Sequence, residues 1–238
     1  KEPSSAEQPN QLFDRSQVLD QLRPPAHAPE FSRVFAARTC MMAGVGLTGV
    51  FLWYLVRFWV YGKAVVLTSA PLTIPAGFLI AGMAVATLIG AALASWAAGP
   101  ISERIEEKNI PVARVVAGAC LLYAAGLALA WGLGVWSTGT ARENGMLLFA
   151  LISGFAFGVY DSLGLELVMD SLPDPRRAGH DLGIYALANS AGLALAAIIG
   201  ALLVNAFEHS FGYYLLFPSA IVMVLLAGIV TLTTKSAE

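Results

Sequence analysis

Charge is what this 238-residue sequence has least of: 13% of its residues are Asp, Glu, Lys or Arg, against roughly 25% in an ordinary soluble domain. With 57% hydrophobic residues and strongly positive mean hydropathy, that scarcity excludes a water-soluble globular chain and implies a membrane protein. A one-signed field is also missing. The formal net charge is -2 and no Lys/Arg-rich run occurs, so nucleic acid is excluded as a partner. Cysteine is limited to Cys40 and Cys120, each inside its own apolar run and far from any His or Cys at zinc or disulfide spacing, so both read as small core residues. The three histidines form no His-Glu-x-x-His element, and no Ser/His/Asp set falls within the apolar runs, which disfavours a membrane enzyme. No cofactor and no metal are expected. The first thirty residues also lack a basic stretch followed by a short apolar core, and so read without a secretory leader.

What is present is a series of apolar runs near the roughly 20 residues a helix needs to cross a bilayer. Residues 1–32, rich in Pro, Ser, Gln and charge, are too polar to bury and read as a flexible cytoplasmic arm or linker. A short helix capped by Ser16 is expected there, from Ser16 to Arg23. Residues 33–238 form the membrane domain, with six runs at about 34–61, 74–98, 112–136, 145–170, 182–207 and 213–232. Backbone polar groups in lipid must be satisfied within the segment, so the runs are helices and the fold class is an all-α membrane bundle. Stretches such as AGMAVATLIGAALASWAAG in the second run and ANSAGLALAAIIGALL in the fifth carry the small residues that let membrane helices approach closely.

Orientation follows from Lys and Arg. Eleven of the fourteen, from Lys1 through Arg33, Arg38, Arg104, Arg114, Arg176 and Arg177 to Lys235, fall on the side of the amino-terminal arm. The arm and the carboxy terminus are therefore expected in the cytoplasm. Trp53, Tyr54, Trp59, Tyr61, Trp131 and Trp136 gather at the opposite ends of the first and third runs, as an interfacial aromatic belt requires.

Two stretches carry more than packing. Between the second and third runs lies GPISERIEEKNIPVAR, where Gly99 allows a tight turn and Ser102, Glu103 and Arg104 set a charged pair at the membrane surface. This element resembles the loop between the second and third helices of each half in the major facilitator superfamily, with Gly99, Ser102, Glu103, Arg104 and Lys108 at matching places. Glu103 stands where Asp is commoner, and IEEK replaces a more basic segment, as in the degenerate copy of the carboxy-terminal half. The second stretch, ending the fourth run, has Asp170, Leu172, Pro173, Asp174, Arg176, Arg177, Gly179, Asp181, Leu182 and Gly183, and Asn189 one to two turns on. It is similar to the tenth-to-eleventh-helix connection of a group of bacterial permeases of that superfamily. The resemblance spans about residues 30–234 and implies helices seven to twelve of a twelve-helix transporter, one half built as a 3+3 inverted repeat.

Three acids end the fourth run. With Asp170 at the interface and a rise of 1.5 Å per residue, Glu166 lies about 6 Å deeper and Asp161 about 13 Å deeper, near the middle of a core about 30 Å thick. Glu166 and Asp170 share a face, where Arg176, Arg177 or the Gly99 loop could pair with them; they read as structural or gating charges. Asp161 points elsewhere on the helix. A charge at that depth marks a substrate or proton path unless it is a buried acid bonded to Ser153, Ser162 or a neighbouring helix. The expectation is that Asp161 lines a central cavity with Tyr160 and Asn189.

The reading is a plasma- or inner-membrane secondary transporter acting by alternating access, whose partners are the lipid bilayer, an amino-terminal six-helix half and a small-molecule substrate. The resemblance alone suggests proton coupling and a sugar-like or drug-like solute. The rival reading is a scaffold subunit of a membrane complex, which would not need Asp161 to be ionisable.

Overall fold

The computed structural model describes residues 29–61, 73–136, 140–172, 178–207 and 209–234, and among these it contains helices and no strand. The helices are α1 (Pro29–Gly49), a short α2 (Leu52–Tyr54) running into a π-helical turn (Leu55–Val60), α3 (Thr73–Glu107), α4 (Val112–Trp136), α5 (Thr140–Asp170), α6 (Ala178–Ala206) and α7 (His209–Leu232). The last five are each long and apolar enough to cross a membrane. The first span is the broken pair formed by α1 and Leu52–Val60, bent by 42°. The short helix expected at Ser16 lies outside the described residues, whereas Pro29 to Ser32, placed in the arm from sequence, already belong to α1.

Packing follows a pattern of exchange. α1 packs on α6 and α7, α5 packs on α3 and α4, and α4 packs on α7. Swapping α1 with α5, α3 with α6 and α4 with α7 maps these pairs onto each other, as a repeat of three helices plus three demands. The departures are the added contacts of α6 with α7 and of the second part of the first span, Leu52–Val60, with α3. Glycines permit the closest approaches. A Cβ on Gly154 would run into the Thr87 carbonyl, and one on Gly90 into the Leu151 carbonyl, so α3 and α5 touch backbone to backbone.

The buried faces of α1, α4, α5 and α7 converge on a core that includes Met41, Leu47, Leu127, Met146, Leu216 and Phe217. α3 and α6 are instead largely uncovered, exposing Phe78, Leu88 and Trp96 on one and Ile198 and Leu202 on the other. At the end of the first span an aromatic layer forms where a belt was expected: Tyr54, Phe58 and Tyr213 stack, and Trp59 packs edge-on against Tyr214. Arg142 Nη1 donates to the Trp59 carbonyl at 3.0 Å. Tyr61 hydrogen-bonds to Glu143, and burial together with that carboxylate raises the phenol above its ordinary pKa.

One boundary changes the reading of a motif. Gly99, Ser102, Glu103 and Arg104 are not in a loop but in the last turns of α3, which continues past the expected end at 98 with Pro100 inside it. The chain turns instead at Asn109, the one non-glycine residue with positive φ (50°) among those described. Ile110 N–H bonds to the Ile105 carbonyl and Asn109 N–H to the Glu106 carbonyl, closing the helix in the Schellman manner.

Candidate functional site

Arg38 is the residue around which the site is built. It stands nine residues into α1, about 13 Å from the helix start, and is 7% exposed. A buried guanidinium requires partners for its planar fork of donors. Nη1 lies 2.7 Å from Asp161 Oδ1 on α5, and Nε donates to Asn189 Oδ1 on α6 at 2.7 Å. The ring centroids of Phe157, Tyr160 and Tyr185 lie 5.7, 5.6 and 5.7 Å from the guanidinium carbon, within the range of cation–π attraction. One side chain therefore ties three helices together, although α1 and α5 otherwise meet only locally.

The three sequence-derived residues come together here. Tyr160 is buried, with Phe157 stacked beside it; Asn189 is half-buried; Asp161 keeps 55% of its side chain exposed. The serines considered as partners for Asp161 bond to their own helix: Ser153 Oγ to the Ala150 carbonyl at 3.0 Å and Ser162 Oγ to the Gly158 carbonyl at 2.9 Å. Asp161 stands nine residues before the end of α5 and Asn189 eleven after the start of α6, so all three polar groups lie at similar depth from one end of the bundle. The arrangement is neutral overall, and its half-exposed carboxylate leaves room for a ligand group to compete for the buried guanidinium.

The expected gating residues are not part of this cluster. Glu166 and Asp170 are exposed in the last turns of α5, and Gly99, Glu103 and Arg104 are exposed at the matching end of α3, with Ser102 half-buried. Arg176 and Arg177 lie outside the described residues. At the same end Arg33 Nη1 bonds to Glu30 Oε1 at 2.7 Å and to the Thr233 carbonyl at 3.1 Å, tying the start of α1 to the end of α7. Buried Asp181 meets His180 Nδ1 at 3.2 Å in the first turn of α6.

Sequence reasoning did not assign Arg38, Phe157 or Tyr185 to the site. Arg38 was counted with the surface arginines of the arm side. The available signal was that a mid-membrane acid needs a cation, and that Arg38 and Arg57 are the arginines lying within the expected first run.

A family model described as Major Facilitator Superfamily matches residues 75–238, more than half of the chain. No curated protein and no solved structure matches it.

Proposed function

The chain belongs to the Major Facilitator Superfamily, a family of membrane transporters, and from that premise we propose that it is the carboxy-terminal half of a secondary transporter working by alternating access with proton coupling through Asp161. The observation that carries this reading is the Arg38–Asp161 pair, deep in the bundle yet with its carboxylate half-exposed. An acid at this depth marks a substrate or proton path by default, and a protonation site requires that its carboxylate can be reached. Protonating Asp161 withdraws the carboxylate from Arg38 and loosens α5 from α1 and α6, a change of the kind that lets helices rock.

The amino-terminal six-helix half belongs against the uncovered apolar faces of α3 and α6, which the exchange symmetry makes equivalent. Exposed Leu, Ile, Phe and Trp side chains on both helices suit either lipid or a packed partner. The arm and carboxy terminus are assigned to the cytoplasm of a plasma or inner membrane by the Lys and Arg distribution. Gly99, Ser102, Glu103, Arg104, Glu166, Asp170, Arg176 and Arg177 serve the gate at that end. The test is pH-jump uptake in proteoliposomes holding the full-length transporter: inward proton gradients should drive accumulation in the wild type and not in Asp161→Asn. Accumulation by Asp161→Asn with unchanged pH dependence would overturn the coupling assignment.

A further inference from the structure

Seven residues beyond Arg38, about 10 Å farther along α1, a cavity of about 270 Å³ opens among α1, α2, α3, α4 and α5. Its floor is buried Thr48, Met83, Tyr123, Phe149 and Ser153, and its rim is exposed Gly49, Ala84 and Thr87. Three properties decide what it can hold. No lining residue is ionisable at neutral pH, and an unpaired charge is too costly to bury against Val, Leu, Ile, Met and Phe side chains, so the occupant is neutral. The volume exceeds the roughly 150 Å³ in which an apolar cavity holds benzene, which fits a molecule of about two fused rings. Finally, the hydroxyls of Thr48, Thr87 and Ser153 donate to carbonyls of their own helices, Val45 at 3.1 Å, Met83 at 2.9 Å and Ala150 at 3.0 Å. Thr48 is bonded to Tyr123 as well, so the Thr87 and Ser153 oxygens are the ones left to accept.

We propose that this cavity binds a neutral, predominantly apolar molecule of two-ring size carrying at least one O–H or N–H donor, and that the cargo belongs to this class. Binding stands on the cavity alone; its meaning as cargo rests on the transporter reading. The lining draws on both sides of the bend in the first span, Gly49 before it and Leu52 after it, so an occupant there resists any change in the 42° break.

Fluorine NMR of a fluoro-naphthol, a neutral two-ring alcohol, with the full-length protein in lipid nanodiscs tests the binding. The expected result is saturable binding, weakened at least tenfold by the rim plugs Ala84→Phe and Thr87→Met and unchanged by Leu121→Phe on an exposed part of α4. It should persist in Asp161→Asn, so that loss of coupling and loss of this site are read separately. Binding that only follows the amount of lipid, or that is equal in the wild type and both plugged variants, overturns the proposal. A bilayer acyl chain held in the cavity would give the first of these results.

Discussion

Arg38 Nη1 and Asp161 Oδ1 sit 2.7 Å apart, tying α1 to α5 beside the Phe157 and Tyr160 rings and a small buried cluster that includes Val34, Leu167 and Val168. The two members are unequally buried, Arg38 at 9% side-chain exposure and Asp161 at 55%. Losing the carboxylate therefore harms the buried partner more than losing the cation harms the exposed one.

Asp161→Asn leaves Arg38 without its anion. Breaking a fully buried pair costs about 3–5 kcal/mol; with Asp161 half-exposed, about 1–2 kcal/mol is expected. Adding Arg38→Met, which removes the stranded charge and keeps the apolar stem among the rings, should recover most of that stability without recovering proton-driven uptake. Thermal unfolding of purified single and double variants checks this. Strictly additive losses would show that the two residues do not act as a pair.

Arg38→Lys keeps the charge and loses the fork. An ammonium on a flexible stem does not hold Asp161 and Asn189 in the fixed geometry of Nη1 and Nε. In the wild type, Asn189→Ala should lower stability by about 1.5–3 kcal/mol, as for a hydrogen bond to a charged group; in the Lys background its effect should fall close to zero. A double-mutant cycle reads the coupling directly, and equal effects in both backgrounds would remove Asn189 from the site.

The contrast between Asp161 and Arg38 shows what was legible in the sequence. The deepest of three acids, nine residues inside an apolar run, is conspicuous because its depth alone makes a charge there costly. Arg38 follows Arg33 closely, and with the first run taken to begin at Val34 it looked like one more positive-inside charge. Starting the helix at Pro29 moves Arg38 more than two turns inward. The rings of Phe157 and Tyr185 carried no sequence signal, since aromatic residues in a membrane helix are equally suited to lipid and to core. The number of spans was readable because a crossing length of apolar residues is a coarse requirement. The bend at Val50 and Phe51 was not, because no proline or charge marks it.

Backbone contact between α3 and α5 makes Gly90 and Gly154 intolerant of any side chain. In Gly90→Ala and Gly154→Ala the new methyl meets backbone on the facing helix, which cannot rotate away. Each variant should lose about 1–3 kcal/mol, the range for overpacked cores. Gly118→Ala is the control: nothing lies within 4 Å of its Cβ position, and Ala is the better helix former. Reversible unfolding in detergent should separate the first two from the third, and equal stability of all three would contradict the packing described.

Gly99 and Asn109 exchange the roles the motif suggests. The sequence pattern places the turn at Gly99, yet Gly99 lies within α3 and a Cβ there meets nothing within 4 Å, while Asn109 carries the left-handed backbone that ends the helix. Within this half, Gly99→Ala should thus be neutral or stabilise by about 0.5–1 kcal/mol, by reducing the freedom of the unfolded chain. Asn109→Val should lose about 1–2 kcal/mol, because a β-branched residue strongly disfavours φ near 50°, and Asn109→Gly should not. If Gly99→Ala keeps its stability and yet slows uptake, the close approach that needs this glycine is made to the other half of the transporter during the cycle. Unfolding midpoints combined with uptake rates for the three variants separate a turn glycine from an interface glycine: a stability loss in Gly99→Ala would restore the turn to position 99.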